Sequence, residues 1–288
     1  MGVRGLLSYL APIKTTIDAR LWKGANVGVD TMYVLYQFRQ DKQNLEAYVK
    51  GLLQTPLTLT FVLDGKADEE KKGCIVKRRE ARVDAAEEAQ KLKQQLVSPD
   101  LNEEERDALT KKLQQKENEA WHLTGTHKQW FLDLVTQLGC KVIKAEKEAD
   151  ALLASPLYDA VITSDTDILV LGCKRMWVPH PSGSINDQTQ TLTHTQSLTH
   201  TQSLTHTQYV EEDMWKILGL DTRHQLLELA FLAGCDVQMK PVLPFDKALS
   251  YLRFYGSILH IHIRHPELVT DELLRRYVWL CRGVWEDI

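Results

Sequence analysis

Ala160-Val161-Ile162-Thr163-Ser164-Asp165-Thr166-Asp167 joins a short apolar, β-branched run to two acids one residue apart. The run has the make-up of a strand buried on both faces, and the acids fall where the strand should end. Three other runs share its character: Val27-Gly28-Val29, Leu57-Thr58-Leu59-Thr60-Phe61-Val62-Leu63 and Lys141-Val142-Ile143. They alternate with helical stretches, which predicts an α/β fold around a mainly parallel central sheet. Asp30 follows the first run and Asp64 the second, while Glu148 and Asp150 open the segment after the third. Asp236 stands apart, after an apolar helical stretch, in Ala233-Gly234-Cys235-Asp236. Ligand sites of open α/β sheets lie at the carboxyl ends of the strands, where these acids are placed.

Each acid alone has an ordinary explanation, because Asp caps helices and opens turns. Four strand ends delivering six carboxylates to one edge of a sheet are a different matter. Such a group repels itself unless cations are present. Mg²⁺ takes oxygen ligands and keeps several of its waters. Two such ions about 4 Å apart activate water and stabilise the leaving oxygen in phosphodiester hydrolysis.

The composition allows this. Of 288 residues, 43% are hydrophobic and 26% charged, enough for a core and ordinary for a globular chain. The net charge of −4, taken alone, argues against a nucleic-acid partner, which usually leaves a basic footprint. A carboxylate-rich metal site is the exception, since bound cations neutralise it. No apolar run is long enough to span a bilayer, and Met1-Gly2-Val3-Arg4-Gly5-Leu6 lacks the apolar core of a secretory signal. Neither a membrane partner nor export is therefore expected. Cys74, Cys140, Cys173, Cys235 and Cys281 are odd in number and widely spaced, which suggests reduced thiols in an intracellular protein.

Residues 68–124 are dense in Lys, Glu, Gln and Ala, with a break at Ser98-Pro99-Asp100. The pattern predicts two exposed helices, the second capped by Ser98 or Asp100. Leu-Thr-His-Thr-Gln-Ser begins at Leu192 and Leu198 and recurs, truncated, at Leu204. A polar period of six suits neither a buried helix face nor a buried strand, so 181–208 reads as a low-complexity loop insertion. His194, His200 and His206 follow from the repeat and are not expected to bind metal. From Tyr209 to Ile288 the pattern is mainly helical.

Met1-Gly2-Val3-Arg4-Gly5-Leu6, Gly28-Val29-Asp30, Phe61-Val62-Leu63-Asp64-Gly65-Lys66, Glu148-Ala149-Asp150-Ala151, Thr163-Ser164-Asp165-Thr166-Asp167 and Gly234-Cys235-Asp236 together resemble, in order, the blocks of the flap endonuclease superfamily of XPG-type 5′ nucleases. The likeness covers residues 1–180 well and 209–255 weakly. It implies a PIN-like nuclease domain with blocks over 1–180, a helical arch over 68–124 and a helical part over 209–288 that completes the domain. It further implies a two-metal reaction with Mg²⁺, for which Mn²⁺ substitutes. Asp30, Asp64, Glu148 and Asp150 would surround one ion, and Asp165, Asp167 and Asp236 the other. Glu146 rivals Glu148, but Glu-Ala-Asp-Ala fits the family pattern better. Lys71 and Arg78 fall at the family's catalytic Lys and Arg, seven residues apart and so on one helix face. Lys91 and Lys93, further along, are expected to be solvated. Tyr36 matches an aromatic that stacks on a base beside the cut, although a core tyrosine is an equal reading. Gly2 and Gly234 would lie against substrate.

The implied partner is DNA with a free 5′ end or flap, handled by a monomer in replication or repair, by function in the nucleus. Two departures bear on this. The segment between Asp30 and Asp64 is short, which implies a reduced wedge. Val242-Leu243-Pro244-Phe245 replaces a glycine-rich hairpin that binds duplex phosphates in the family. No sliding-clamp tail or basic nuclear signal is evident. An RNA endonuclease of the same superfamily, or a non-catalytic nucleic-acid-binding protein that keeps the fold, are the alternatives.

Overall fold

The computed structural model describes residues 2–39, 41–66, 72–97, 102–180, 204–236 and 238–283. They form two compact units, Met1–Ala67 with Gln129–Ile288, and Asp68–Lys128. The first unit is built on a sheet of seven strands, β1 (Thr15–Asp18), β2 (Asn26–Asp30), β3 (Thr58–Leu63), β4 (Lys141–Lys144), β5 (Ala160–Ile162), β6 (Arg175–Pro179) and β7 (Thr205–Val210), in the order β1-β7-β6-β5-β2-β3-β4. From β6 through β4 all neighbours are parallel; β7 runs antiparallel to both β6 and β1. The four runs expected to be strands are β2, β3, β4 and β5, and the mixed α/β class with a mainly parallel sheet is the one observed.

The chain leaves β2 for β3 on one side and later returns to β5 on the other, so the strand order reverses beside β2. That is the position where such sheets bind ligands. The interiors of β2, β3 and β5 are buried, whereas β4, at the edge, is half-exposed, which accounts for the apolar, β-branched sequences of the inner strands. Helices α1 (Leu6–Tyr9), α2 (Thr31–Gln37) and α3 (Lys42–Leu53) come from the first third of the chain. Later come α6 (Gly125–Gln137), α7 (Ala149–Leu153), α8 (Asp167–Leu171), α9 (Glu211–Leu218), α10 (Arg223–Ala233), α11 (Phe245–Tyr255), α12 (Ile258–Arg264) and α13 (Asp271–Gly283). Phe61 of β3 meets Phe131 of α6 edge-on, ring centroids 5.7 Å apart. Trp177, fully buried in β6, packs against Trp22. Among the described residues no helix is long and apolar enough to cross a membrane.

The second unit is a helical hairpin of α4 (Lys72–Leu96) and α5 (Glu103–Ala120). Ala85, Ala89 and Leu92 are its buried stripe, spaced three to four residues apart as a helix–helix seam requires. The cap of α5 is Asn102, in a reciprocal capping box with Glu105. This corrects the expectation of Ser98 or Asp100, both outside the described residues. Lys93 is not simply solvated: its Nζ lies 2.6 Å from Glu117 of the facing helix. Lys91 is exposed.

The loop insertion expected over 181–208 is too long at its end. Residues 181–203 lie outside the described part, but Leu204 is buried and Thr205–Val210 is β7. The truncated last unit of the repeat therefore supplies a strand between β6 and β1. His206 is fully buried there. Its Nε2 lies 2.7 Å from the Tyr48 hydroxyl and its Nδ1 2.9 Å from the Leu204 carbonyl. A carbonyl only accepts, so Nδ1 carries the proton and the Tyr48 hydroxyl donates to Nε2. Gln208 accepts from the Trp177 indole at 2.9 Å. A polar sequence is stable as an inner strand here because each of these polar side chains has a buried partner.

Two predictions follow from these partners. Deleting 191–203 is expected to leave the melting temperature within a few degrees of the intact chain. Extending the deletion to Thr207 removes Leu204 and His206 and is expected to lower it sharply or prevent folding, as thermal denaturation will show. The second concerns pH. Burial depresses His206 to about 4, so its stabilising contribution is complete above its ordinary value near 6.5 and is lost as pH falls toward 4, at most about 3 kcal/mol. Burial raises Glu228 of α10 to about 7, so its contribution is complete below the ordinary glutamate value and is lost as pH rises through 7. Melting temperature against pH should fall on both sides. His206→Gln should flatten the acid side and Glu228→Gln the alkaline side.

Candidate active site

Parallel register brings the acids together. Val29 of β2 pairs with Phe61 of β3 on one side and with Ile162 of β5 on the other. The next residues, Asp30, Val62 and Thr163, therefore stand in one row at the carboxyl end of the sheet. Asp64 and Asp165 each follow two residues further on.

Asp30 caps α2, its Oδ1 accepting from Tyr33 N at 3.0 Å. Its Oδ2 accepts from the Thr163 hydroxyl at 2.9 Å. Burial lifts the Asp30 carboxyl to about 6; the two hydrogen bonds oppose the rise, and the neighbouring charges of Asp64 and Asp165 add to it. Asp64 accepts from Ala149 N, the first residue of α7, at 2.9 Å. The chain after Asp64 is zipped to the stretch after β4, with Gly65 N donating to Lys147 O at 2.6 Å and Lys66 N to Glu146 O at 3.1 Å. A Cβ on residue 65 would stand 2.1 Å from Ala145 O and 2.5 Å from Glu146 O, so only glycine permits this approach.

Glu148 is the N-cap residue of α7 and Asp150 lies in its first turn, both half-buried and both beside the N–H that holds Asp64. The Glu146 side chain is exposed. Asp165 Oδ1 accepts from Asp167 N, the first residue of α8, at 3.1 Å. Gly2 lies against this loop: a Cβ there would meet Thr166 Oγ1 at 2.0 Å and Asp165 Oδ1 at 2.8 Å. Two residues on, Arg4 N donates to Gly234 O at 3.0 Å. The N-terminal segment thus connects the Asp165 loop with the turn that carries Asp236.

Tyr36 is 44% exposed, which removes the core reading of this residue. The Arg39 guanidinium sits 4.7 Å from its ring centroid. Lys71 lies outside the described residues. Arg78 is in the first turns of α4, half-buried.

The donors are all carboxylate oxygens, one half-buried and two others within electrostatic reach of it, a set suited to a hard divalent ion. Among the described residues no three His, Cys, Asp or Glu side chains are drawn into a ready-made cage. This chemistry fits an ion that retains part of its water shell better than a closed tetrahedral site. The sequence reading did not find Thr163, Gly65 or the Ala149 N–H. For Thr163 the signal was present, in its place one residue past the β5 run.

Comparison with known proteins agrees with this layout. The XPG I-region family matches residues 139–236. Flap endonuclease 1 of Methanopyrus kandleri is 25% identical over 294 residues, covering 90% of this chain and 74% of the relative. Flap endonuclease 1-B of Laccaria bicolor is 28% identical over 196 residues, covering 58% of this chain but only 39% of the relative. The catalytic core of Rad2 in complex with DNA substrate has the same fold, with a TM-score of 0.61 at 17% identity over 99% of this chain and 80% of that one. Human GEN1 in complex with Holliday junction DNA gives a TM-score of 0.54 at 19% identity over 98% of this chain and 63% of that one. Residues 139–236 thus match an XPG I-region, and over most of its length the chain is similar to a flap endonuclease.

Proposed function

We propose that the protein is a metal-dependent, structure-specific 5′ nuclease that hydrolyses phosphodiester bonds of DNA with a free 5′ end or flap, in replication or repair. The observation that carries this reading is the row of strand ends at the β2 switch, where half-buried Asp30 lies beside the charges of Asp64 and Asp165. By the family pattern, Asp30, Asp64, Glu148 and Asp150 hold one Mg²⁺, and Asp165, Asp167 and Asp236 the other, with Mn²⁺ able to substitute. The ions supply an activated water and charge neutralisation at the leaving oxygen.

The chain's own groups position the substrate around that centre. The exposed Tyr36 ring offers a base a stacking face without regard to sequence. Gly2 supplies a close-packed backbone beside Asp165. Lys71 and Arg78 supply fixed positive charge for the scissile phosphate, whose negative charge grows in the transition state.

One observation favours the second reading, an RNA endonuclease. Val242 N and Leu243 N both donate to Leu232 O, at 2.8 and 3.0 Å. By the family resemblance these backbone donors would fall in the stretch that binds duplex phosphates, and here they are committed internally. A weak grip on duplex suits a single-stranded substrate.

The test is a gel assay in Mg²⁺ with labelled flap, nicked and single-stranded DNA and single-stranded RNA. Cleavage of the flap near its 5′ junction is expected, abolished by Asp165→Ala with binding largely kept; normal turnover by this variant would remove the site assignment. RNA cut faster than flap would favour the second reading. A further prediction concerns the hairpin. Arg78→Ala should slow single-turnover cleavage about 10²-fold or more while weakening flap binding much less, because other phosphate contacts remain. Lys91→Ala is the control, in preference to Lys93, which pairs with Glu117; equal losses from Arg78→Ala and Lys91→Ala would exclude a catalytic Arg78.

A further inference from the structure

Thr163 is fully buried at the first position after β5 and is itself no candidate metal ligand. Its hydroxyl lies 2.9 Å from Asp30 Oδ2 and 3.1 Å from Asp165 N. The direction of both bonds is fixed by chemistry. The Asp165 N–H can only donate, so Thr163 Oγ1 accepts there and its single proton points at Asp30. Its backbone is held as well, Thr163 N donating to Trp177 O of β6 at 3.1 Å. The hydroxyl thus joins the end of β2 to the start of the loop that carries Asp165 and Asp167. The neighbouring residue repeats the tie, since Ser164 hydrogen-bonds the Tyr33 side chain of α2.

We infer that Thr163 is a positioning residue: its hydroxyl sets the orientation of Asp30 and its distance from Asp165, and so the geometry in which the site receives divalent metal. The inference rests on the nuclease reading above and adds to it a residue outside the acid set. Asp30 has one donor on each oxygen, Tyr33 N on Oδ1 and Thr163 Oγ1 on Oδ2. With both in place the carboxylate plane cannot turn, and one lone pair on each oxygen stays available. Without the hydroxyl, Oδ2 loses its donor and the Asp165 N–H its acceptor, and the Ser164–Tyr33 hydrogen bond is left to tie the loop to α2.

The experiment compares Thr163→Val, which keeps the shape and removes the hydroxyl, with Thr163→Ser, which keeps the hydroxyl. Far-UV circular dichroism checks folding. The melting-temperature rise produced by Mg²⁺ alone, without nucleic acid, reports binding through the stability it adds. The Mg²⁺ dependence of flap cleavage reports use. Thr163→Val is expected to fold and to need about tenfold more Mg²⁺ or higher in both titrations, as for a lost hydrogen bond to a charged group. Thr163→Ser should restore most of the affinity. Wild-type titrations in Thr163→Val, or equal losses in Val and Ser, overturn the inference, the latter because packing and not the hydroxyl would be responsible. Thr163→Ala is the second hydroxyl deletion if Val does not fold. Failure of both to fold while Ser does makes the hydroxyl a folding determinant and also overturns it. If the unaltered chain neither responds to Mg²⁺ nor cleaves any substrate, the nuclease reading itself fails, an outcome distinct from all of these.

Discussion

Carboxylates placed side by side repel one another, and the repulsion grows as water is withdrawn. Every prominent feature of the sheet's carboxyl edge can be traced to holding Asp30, Asp64 and Asp165 together against that force. Parallel register brings the ends of β2, β3 and β5 into one row. Each acid is then fixed by a donor from an element other than its own strand: Asp30 by Tyr33 N and the Thr163 hydroxyl, Asp64 by Ala149 N, Asp165 by Asp167 N. Such hydrogen bonds to charged groups are worth more than neutral ones, yet they do not cancel the cost. Asp30 is still lifted to about 6, chiefly by burial. A site left electrostatically uncomfortable in this way has a reason to bind cations that a relaxed acidic surface lacks.

The same constraint explains the packing around the N-terminus. Gly2 against Thr166 and Asp165, Arg4 N on Gly234 O, and Gly5 against Phe245 are three contacts within four residues of chain. They reach the Asp165 loop, the Asp236 turn and the start of α11. Buried Val3, Leu6 and Leu10 anchor the segment in the core. The segment thus ties the Asp165 loop to the turn that carries Asp236. The close fit also explains why two of its positions are glycines, since neither site has room for a side chain.

What could be read from the sequence was whatever had a local signature. The inner strands β2, β3 and β5 are short β-branched runs because both their faces are buried, and the acids stand out because each terminates or follows such a run. The helical hairpin was visible in its charge density. β7 was not: Thr205-His206-Thr207-Gln208 has the composition of a solvated loop, and it is a strand because Tyr48, Trp177 and the Leu204 carbonyl, distant from one another in sequence, supply its polar partners. Asn102 was overlooked as a cap in favour of nearer turn residues, although Glu105 three positions later completes a capping box. Thr163 was legible as part of a motif but not as a link, because its two partners are set by strand register, 133 residues apart in the case of Asp30. Tyr36 was undecidable until its exposure was known, since helix periodicity alone leaves a tyrosine on the border of an apolar face.

On the nuclease reading proposed above, the chemistry and the choice of substrate would be carried by different parts of the molecule. The acid row is tied down from several directions and leaves little latitude. Between Asp30 and Asp64 lie α2, α3 and β3 with short connections. After Asp236 the Val242 and Leu243 N–H groups close on Leu232 O instead of facing outward, and Leu243 and Phe245 are buried in the core cluster. A backbone N–H already bonded inside the protein gains little by contacting phosphate, since one bond must be given up for the other. Tyr36, by contrast, is 44% exposed, with the Arg39 guanidinium 4.7 Å from its ring centroid. On the nuclease reading proposed above, a site of this construction would place more of its recognition on the strand that ends near the acid row and less on the duplex behind it.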